Sequence, residues 1–356
     1  MRSRLRFWKY PIIIVLLLGV LAAFTLMYTL SDTAAAPHEQ AETPDAVISE
    51  VPEPEYIEQE EEPEDEPEDE PEDEPEEEPE EVFYPSPADD GFITININEE
   101  TIHQGPLLLV NHDHIFTIPD DIDLVNIADT STTEIRVQQP YFRLSGSIME
   151  PLDEMMEAFT SATNSRSVII VSAFRDFDYQ QRLLANFINR MGRTMALQYA
   201  SRPGHSEHHT GLAVDFGVMT GGTRGTFDGF GTTAWFRRNA YNYGFILRYP
   251  ANKTRITQTS HEPWHFRYVG LPHSALLFQK GWVLEEFIEN IREYTFEEPL
   301  EFERGGVLYE MYFTTETEIK VPLNSEFDIS GNNIDGFIVT FIRLEYDQSE
   351  ITDVSI

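Results

Sequence analysis

RPGHSEHHTGLAVDF, residues 202–216, places three histidines within five positions and an aspartate six residues after the last of them. Such a stretch has two physical readings: a polar, hydrogen-bonded loop, or half of a metal site. His208 and Asp215 are seven residues apart. That separation is about 10 Å along a helix and more than about 20 Å along a straight strand, too far in either case to share one ion. The chain must therefore reverse between them, and Gly211 tolerates the positive φ that a tight turn demands. Beyond it LAVDFGV alternates, with Leu212, Val214, Phe216 and Val218 on one face and Ala213, Asp215 and Gly217 on the other. Asp215 is thus expected to project from a strand face whose small neighbours leave room for an ion and a substrate.

A second cluster, SHEPWHFRYVG, occupies residues 260–270. Pro263 between Glu262 and His265 argues against a helix interior. Read as a strand, HFRYV turns His265 and Arg267 one way and Phe266 and Tyr268 the other, so that His265 can join Asp215 in a cleft lined by Trp264. Two imidazoles, a carboxylate and an open position suit catalytic zinc, and Glu262 suits a general base beside it. His205, His209 and His261 are then surplus to a three-ligand site, one of them free to support a ligand from behind. Residue chemistry alone leaves the metal site and the hydrogen-bonded loop side by side.

The rest of the chain sets these clusters in context. Arg2, Arg4, Arg6 and Lys9 lie in a basic tail, residues 1–10, before an uncharged run from Pro11 to Leu30. At 1.5 Å per residue that run spans about 30 Å, the thickness of a bilayer's hydrocarbon layer. We expect a single-pass anchor in the cell membrane, with the N-terminus inside and the bulk of the chain outside; TAAAP at 33–37 leaves a cleaved signal peptide as the alternative. Residues 31–90 read as a disordered linker rich in Pro and Glu. Between Glu50 and Glu81, 21 of 32 residues are acidic, and subtracting them from the formal charge of −39 leaves −18. No basic footprint is present, so no nucleic-acid partner is expected. The chain has no cysteine, which excludes disulfides and thiolate metal sites.

From Gly91 onward, strand-like and helix-like runs mix without a βαβ rhythm, which gives an α+β class: a small antiparallel sheet with flanking helices around a metal cleft. FITININ, GPLLLVN, HIFTI, VIIVSAF, FILRYP and HFRYVG read as strands. EPLDEMMEAFTSATN, DYQQRLLANFINRMGRTMALQYA, TAWFRRNAYNYG and GWVLEEFIENIREY read as helices. A catalytic domain is assigned to 91–294 and a small β-rich appendage to 295–356. The glycine-rich TGGTRGTFDGFG, 220–231, lacks a phosphate-binding ending and reads as a flexible loop at the cleft edge.

SEHHTGLAVD has the Ser-x-His-x-x-Gly-x-Ala-x-Asp form of the VanY-type D-alanyl-D-alanine carboxypeptidases. EPWHFRYVG resembles that family's second motif, VSAFRDFDYQ (171–180) its Ser-Gly-Tyr-Arg-x-x-x-x-Gln segment, and YGFILRYP a further block, together covering about 105–290 in the family's order. The resemblance implies Zn(2+) held by His208, Asp215 and His265, with Glu262 as catalytic base. It places Arg175 on the substrate carboxylate or developing oxyanion, and Gln180, Ser206 and Trp264 on the substrate. For Arg175 the alternative is an ion pair with Asp176 or Asp178. The implied partners are peptidoglycan stem peptides outside the cell and, through the N-terminal run, the lipid bilayer. Ala173 and Phe174 replace the usual Gly-Tyr, and Gln258 and His261 stand where Gly and Tyr are frequent, which bears on substrate choice. The same residues would serve an L,D-carboxypeptidase, a D,D-dipeptidase or a peptidoglycan endopeptidase. An inactive wall-binding module is disfavoured because all three ligands and the base are present.

Overall fold

The alternation at 212–218 is a strand in the computed structural model, which describes residues 91–342. The apolar run at 11–30, the linker and residues 343–356 lie outside the described residues. Among those described, no helix is long and apolar enough to cross a membrane.

Apart from one-turn helices, the strands and helices in chain order begin with β1 (Phe92–Asn96), β2 (Leu124–Asn126) and β3 (Arg143–Ser145). Helix α1 (Met149–Thr163) buries Leu152, Met155, Met156 and Phe159, spaced as one helical stripe, and ends where Asn164 takes a left-handed conformation. After β4 (Val168–Ser172), helix α2 (Phe177–Met191) starts at Asp176, whose carboxylate accepts the Tyr179 N–H, and buries Leu183, Leu184 and Phe187. It stops at Gly192, at φ 80°, so the long helical run of the sequence is broken there. Then follow β5 (Ala213–Thr220), β6 (Thr223–Gly225), α3 (Ala234–Asn239), β7 (Phe245–Tyr249) and β8 (Glu262–Tyr268).

These strands make the sheet that carries the chemistry, in the order β4-β5-β8-β7 with β6 on β5, each pair antiparallel. Val214, Phe216, Phe266 and Ile170 share a buried cluster with Leu152, Met155 and Phe159 of α1 and Phe236 of α3. Each such side chain stabilises by roughly 1.5–3 kcal/mol on burial. The helices therefore claim one sheet face, leaving Asp215 and His265 on the other.

The remaining elements are α4 (His273–Lys280), α5 (Leu284–Asn290), β9 (Leu300–Arg304), β10 (Val307–Thr314), β11 (Glu318–Pro322), β12 (Phe327–Gly331) and β13 (Phe337–Ile342). A second sheet has the order β12-β13-β10-β9, while β11 pairs with β1. Leu300, Phe302, Met311 and Ile338 join Leu276, Leu277, Leu284 and Phe287 in one buried cluster. Tyr312, Val339 and Phe341 form another with Ile319 and Val321 of β11. The second sheet is thus buried on both faces. The β-rich segment is no appendage: a cut at 294/295 passes through a shared core, and β1 itself is sewn into the C-terminal part.

Two expected strands are not strands. GPLLLVN and HIFTI run as irregular chain across 105–118, although Leu107, Leu108, Leu109, Val110 and Phe116 are buried. Side chains replace a ladder there: Arg267 donates to the carbonyls of Pro106 and Leu108, and Asn333 to those of Leu109 and Ile115. Apolar runs report burial, and these found another way to satisfy their backbone.

Removing residues after 294 is expected to abolish folding rather than release an intact catalytic domain, because it strips one side of the α4–α5 core. Urea denaturation of the full chain, followed by Trp fluorescence and far-UV circular dichroism, should give coincident transitions for the catalytic and C-terminal parts.

Candidate metal centre

The site grows out of strand register. Asp215 of β5 lies directly opposite His265 of β8 and, on its other side, opposite Ser172 of β4. Three neighbouring strands therefore set Ser172, Asp215 and His265 in a row. His208 arrives from the helical turn Glu207–Thr210, which ends at Gly211 with φ 70°. A Cβ at Gly211 would sit 3.0 Å from the Ser145 backbone nitrogen, so both the conformation and the space favour glycine where the chain reverses.

One nitrogen of each histidine and one oxygen of Asp215 lie within 4.8 Å of one another, and all three residues are buried. The opposite nitrogens are occupied, which decides the tautomers. His208 Nδ1 is 2.6 Å from the Ala173 carbonyl, leaving Nε2 turned to the site, 3.2 Å from Asp215 Oδ2. In His265 the roles reverse: Nε2 meets Glu207 at 3.2 Å, and Nδ1 faces Asp215 Oδ1 at 2.8 Å. Two imidazoles and one carboxylate converging with no thiolate fit zinc with a position left for substrate.

Glu262 raises a problem of parity. It is three residues from His265, and in an unbroken strand the two would point to opposite faces. The ladder breaks there: between the pairs Leu247–Phe266 and Tyr249–Glu262, β7 advances two residues while β8 advances four. That irregularity re-aims Glu262, whose Oε2 lies 4.0 Å from His265 Nδ1.

Arg175 makes neither of the neighbouring ion pairs. Its Nη2 donates to Asp215 Oδ2 at 2.8 Å, Nε to Ser172 Oγ at 2.9 Å and Nη1 to Gln180 Oε1 at 3.3 Å; Asp176 is taken up in capping α2. Two of its five N–H groups remain. Gln180 is fully buried, with its amide nitrogen on the Ser201 carbonyl, so it holds Arg175 instead of reaching a peptide. Trp264 is also corrected: it lies in the apolar cluster with Phe266, out of phase with His265, and does not line the cleft. Ser206 is buried beside the His208 turn. The small neighbours of Asp215 serve packing, since Ala213 is buried and a Cβ on Gly217 would meet Val171 at 2.6 Å. His205, His209 and His261 each place Nδ1 on a backbone carbonyl, at Asn111, Arg175 and Tyr249.

Sequence reading missed Glu207. Its carboxylate is 1% exposed and accepts from Arg248 Nε at 2.7 Å and Arg267 Nη1 at 3.0 Å, besides meeting His265. The signal was present: Arg248 and Arg267 stand within strands that must be buried, and a buried arginine requires a buried acid.

Electrostatics prepare the ligands unequally. Burial opposes charge on His265, yet its hydrogen bonds to Asp215 and Glu207 prevail and push it up to about 9. Burial takes His208 down to about 4, helped by the Arg175 charge. For Asp215 and Glu207 burial again works against the ion. The neighbouring histidines hold Asp215, and Arg248 and Arg267 hold Glu207, well below the usual carboxylate range.

Residues 142–271 match the family model described as VanY, D-alanyl-D-alanine carboxypeptidase. The chain is 37% identical over 250 residues to a D-alanyl-D-alanine carboxypeptidase of Enterococcus faecium, covering 68% of this chain and 77% of that one. It is 35% identical over 211 residues to the putative carboxypeptidase YodJ of Bacillus subtilis (strain 168), covering 57% and 72%. Among solved structures, it resembles the vancomycin resistance D,D-dipeptidase VanXYg in complex with a D-Ala-D-Ala phosphinate analogue. That likeness has a TM-score of 0.63 and 34% identity, over 71% of this chain and 99% of that one.

Metal must displace the proton that His265 holds up to about pH 9, whereas His208 competes only near pH 4. Apparent zinc affinity, measured by chelator competition, should therefore rise about tenfold per pH unit between pH 6 and 8 and level off above about 9.

Proposed function

The chain belongs to the VanY family of D-alanyl-D-alanine carboxypeptidases, and from that premise we propose that it is a membrane-anchored zinc enzyme that removes the terminal D-alanine of peptidoglycan stem peptides outside the cell. The observation that carries this reading is the cross-strand pairing of Asp215 with His265, with His208 and Glu262 brought to the same point. The apolar run at 11–30 with its basic flank supports the anchor, and the acidic linker supports a catalytic domain held away from the bilayer.

His208 Nε2, Asp215 and His265 Nδ1 would hold the ion. Zinc, when bound there, supplies Lewis acidity toward a peptide carbonyl and makes water acidic enough to attack near neutral pH. Glu262 would accept a proton from the attacking water and pass it to the departing amine of D-alanine. Arg175 turns its two remaining N–H groups to the substrate carboxylate or to the charge developing on the carbonyl oxygen. Ser206 Oγ, which makes no hydrogen bond among the described residues, contributes a further polar contact to the peptide. The dense apolar packing behind β5 and β8 keeps water off the rear of the ligands.

A second reading, D,D-dipeptidase action, is favoured by the likeness to VanXYg. Incubating the purified full chain with zinc and either a stem pentapeptide or D-Ala-D-Ala separates the two by the products seen in mass spectrometry. Release of D-alanine from the pentapeptide supports the carboxypeptidase; no release from it would refute that assignment. Glu262→Gln should lower kcat by about 10²–10⁴ with zinc retained. His208→Ala should lose the zinc itself, and Arg175→Lys should reduce kcat/KM by at least about tenfold because a point charge cannot reproduce the fork.

A further inference from the structure

Glu207 is joined on both sides. Toward the metal centre its Oε2 meets His265 Nε2 at 3.2 Å; away from it, Oε1 accepts Arg248 Nε at 2.7 Å and Arg267 Nη1 at 3.0 Å. Arg248 is itself fully buried and uses its other two nitrogens on Glu285, Nη1 to Oε2 at 2.8 Å and Nη2 to Oε1 at 2.7 Å. Glu285 also receives the Asn111 amide at 3.2 Å. It belongs to the first turn of α5, whose Leu284, Phe287 and Ile288 lie in the core shared with the C-terminal sheet. Arg267 is anchored independently by the carbonyls of Pro106, Leu108 and Tyr268.

We propose that Glu207 is a positioning residue for His265, and that Arg248 transmits its hold to Glu285, so that helix α5 helps to fix a metal ligand it never touches. The physical case has three parts. An imidazole that must offer Nδ1 to an ion needs its Nε2–H directed elsewhere, and a carboxylate is the strongest acceptor for it. Glu207 is the acceptor at that nitrogen, so its placement sets the rotation of the ring about Cβ–Cγ. A lone buried carboxylate would be free to tilt with its backbone turn, but here a planar guanidinium grips Glu207 through Nε and Glu285 through a two-point fork, which leaves little freedom along the chain of four side chains. The C-terminal β segment thereby acquires a part in metal binding through the helix it supports.

This inference rests on the zinc-enzyme reading, and its test is read from metal affinity so that the two fail separately. Wild-type full-length protein is first titrated with zinc against a chromophoric chelator; absence of a stoichiometric site would defeat the zinc-enzyme reading before any variant is made. Glu207→Asp keeps the negative charge for both arginines but is one methylene too short to reach His265. It should raise the zinc Kd about 10–100-fold, with the circular dichroism of the metal-free protein unchanged, and should alter the visible absorption of the cobalt-substituted protein. Glu285→Gln, four side chains from the ion, should raise Kd about 3–10-fold without altering that spectrum. A folded Glu207→Asp protein with wild-type affinity overturns the proposal. If that variant does not fold, Glu285→Gln decides, and an unchanged Kd there overturns it as well.

Discussion

The pairing of Asp215 with His265 across two central strands is the constraint to which the other features answer. Opposed residues of antiparallel strands sit about 5 Å apart at Cα, close enough for one ion to touch both. That closeness requires β5 and β8 to hold their register without slipping. A slip of one residue would send Asp215 into the apolar cluster and Phe216 into the cleft. Val214, Phe216 and Phe266, packed against α1 and α3, make such a slip prohibitive. The metal geometry is therefore enforced by the hydrophobic alternation of the strands, and the turn at Gly211 needs only to deliver His208 to a place already fixed.

Behind that pairing lies an unusual concentration of buried charge. Arg248 and Arg267 are fully buried and Glu207 almost so. Buried ion pairs seldom add net stability over an apolar equivalent, and removing one partner from such a group typically costs about 3–5 kcal/mol. Their presence here is better understood through orientation than through stability. Two glutamates and two arginines balance in charge, and the ring nitrogen of His265 is their outlet toward the site.

Much of this was legible in the residues. The turn at Gly211, the facing of Asp215 and the opposition of His265 to Phe266 follow from alternation and from glycine chemistry; α1, α2, β5 and β8 were marked by periodicity, and β4 and β7 by short strand-like runs. What escaped depended on contacts between distant segments. No local pattern reveals that 105–118, rich in Leu and Val, satisfies its carbonyls with Arg267 and Asn333 in place of a neighbouring strand. Nor could spacing tell that β1 pairs with a strand more than two hundred residues away, or that the strands after 295 share a core with α4 and α5. Trp264 and Gln180 were misplaced for a related reason: a motif records that a residue matters, and burial decides whether it matters by touching substrate or by holding what does.

The broken ladder at the start of β8 carries one further meaning. A base and a ligand three residues apart on a strand can share a face only if the sheet carries a fault between them. Pro263, which has no N–H to give, stands within that fault. Closing the ladder through it would demand a hydrogen bond that proline cannot donate. The Glu-x-x-His spacing, which on a helix would express the helical repeat, is here the signature of a dislocation in a sheet, and proline keeps the dislocation from annealing.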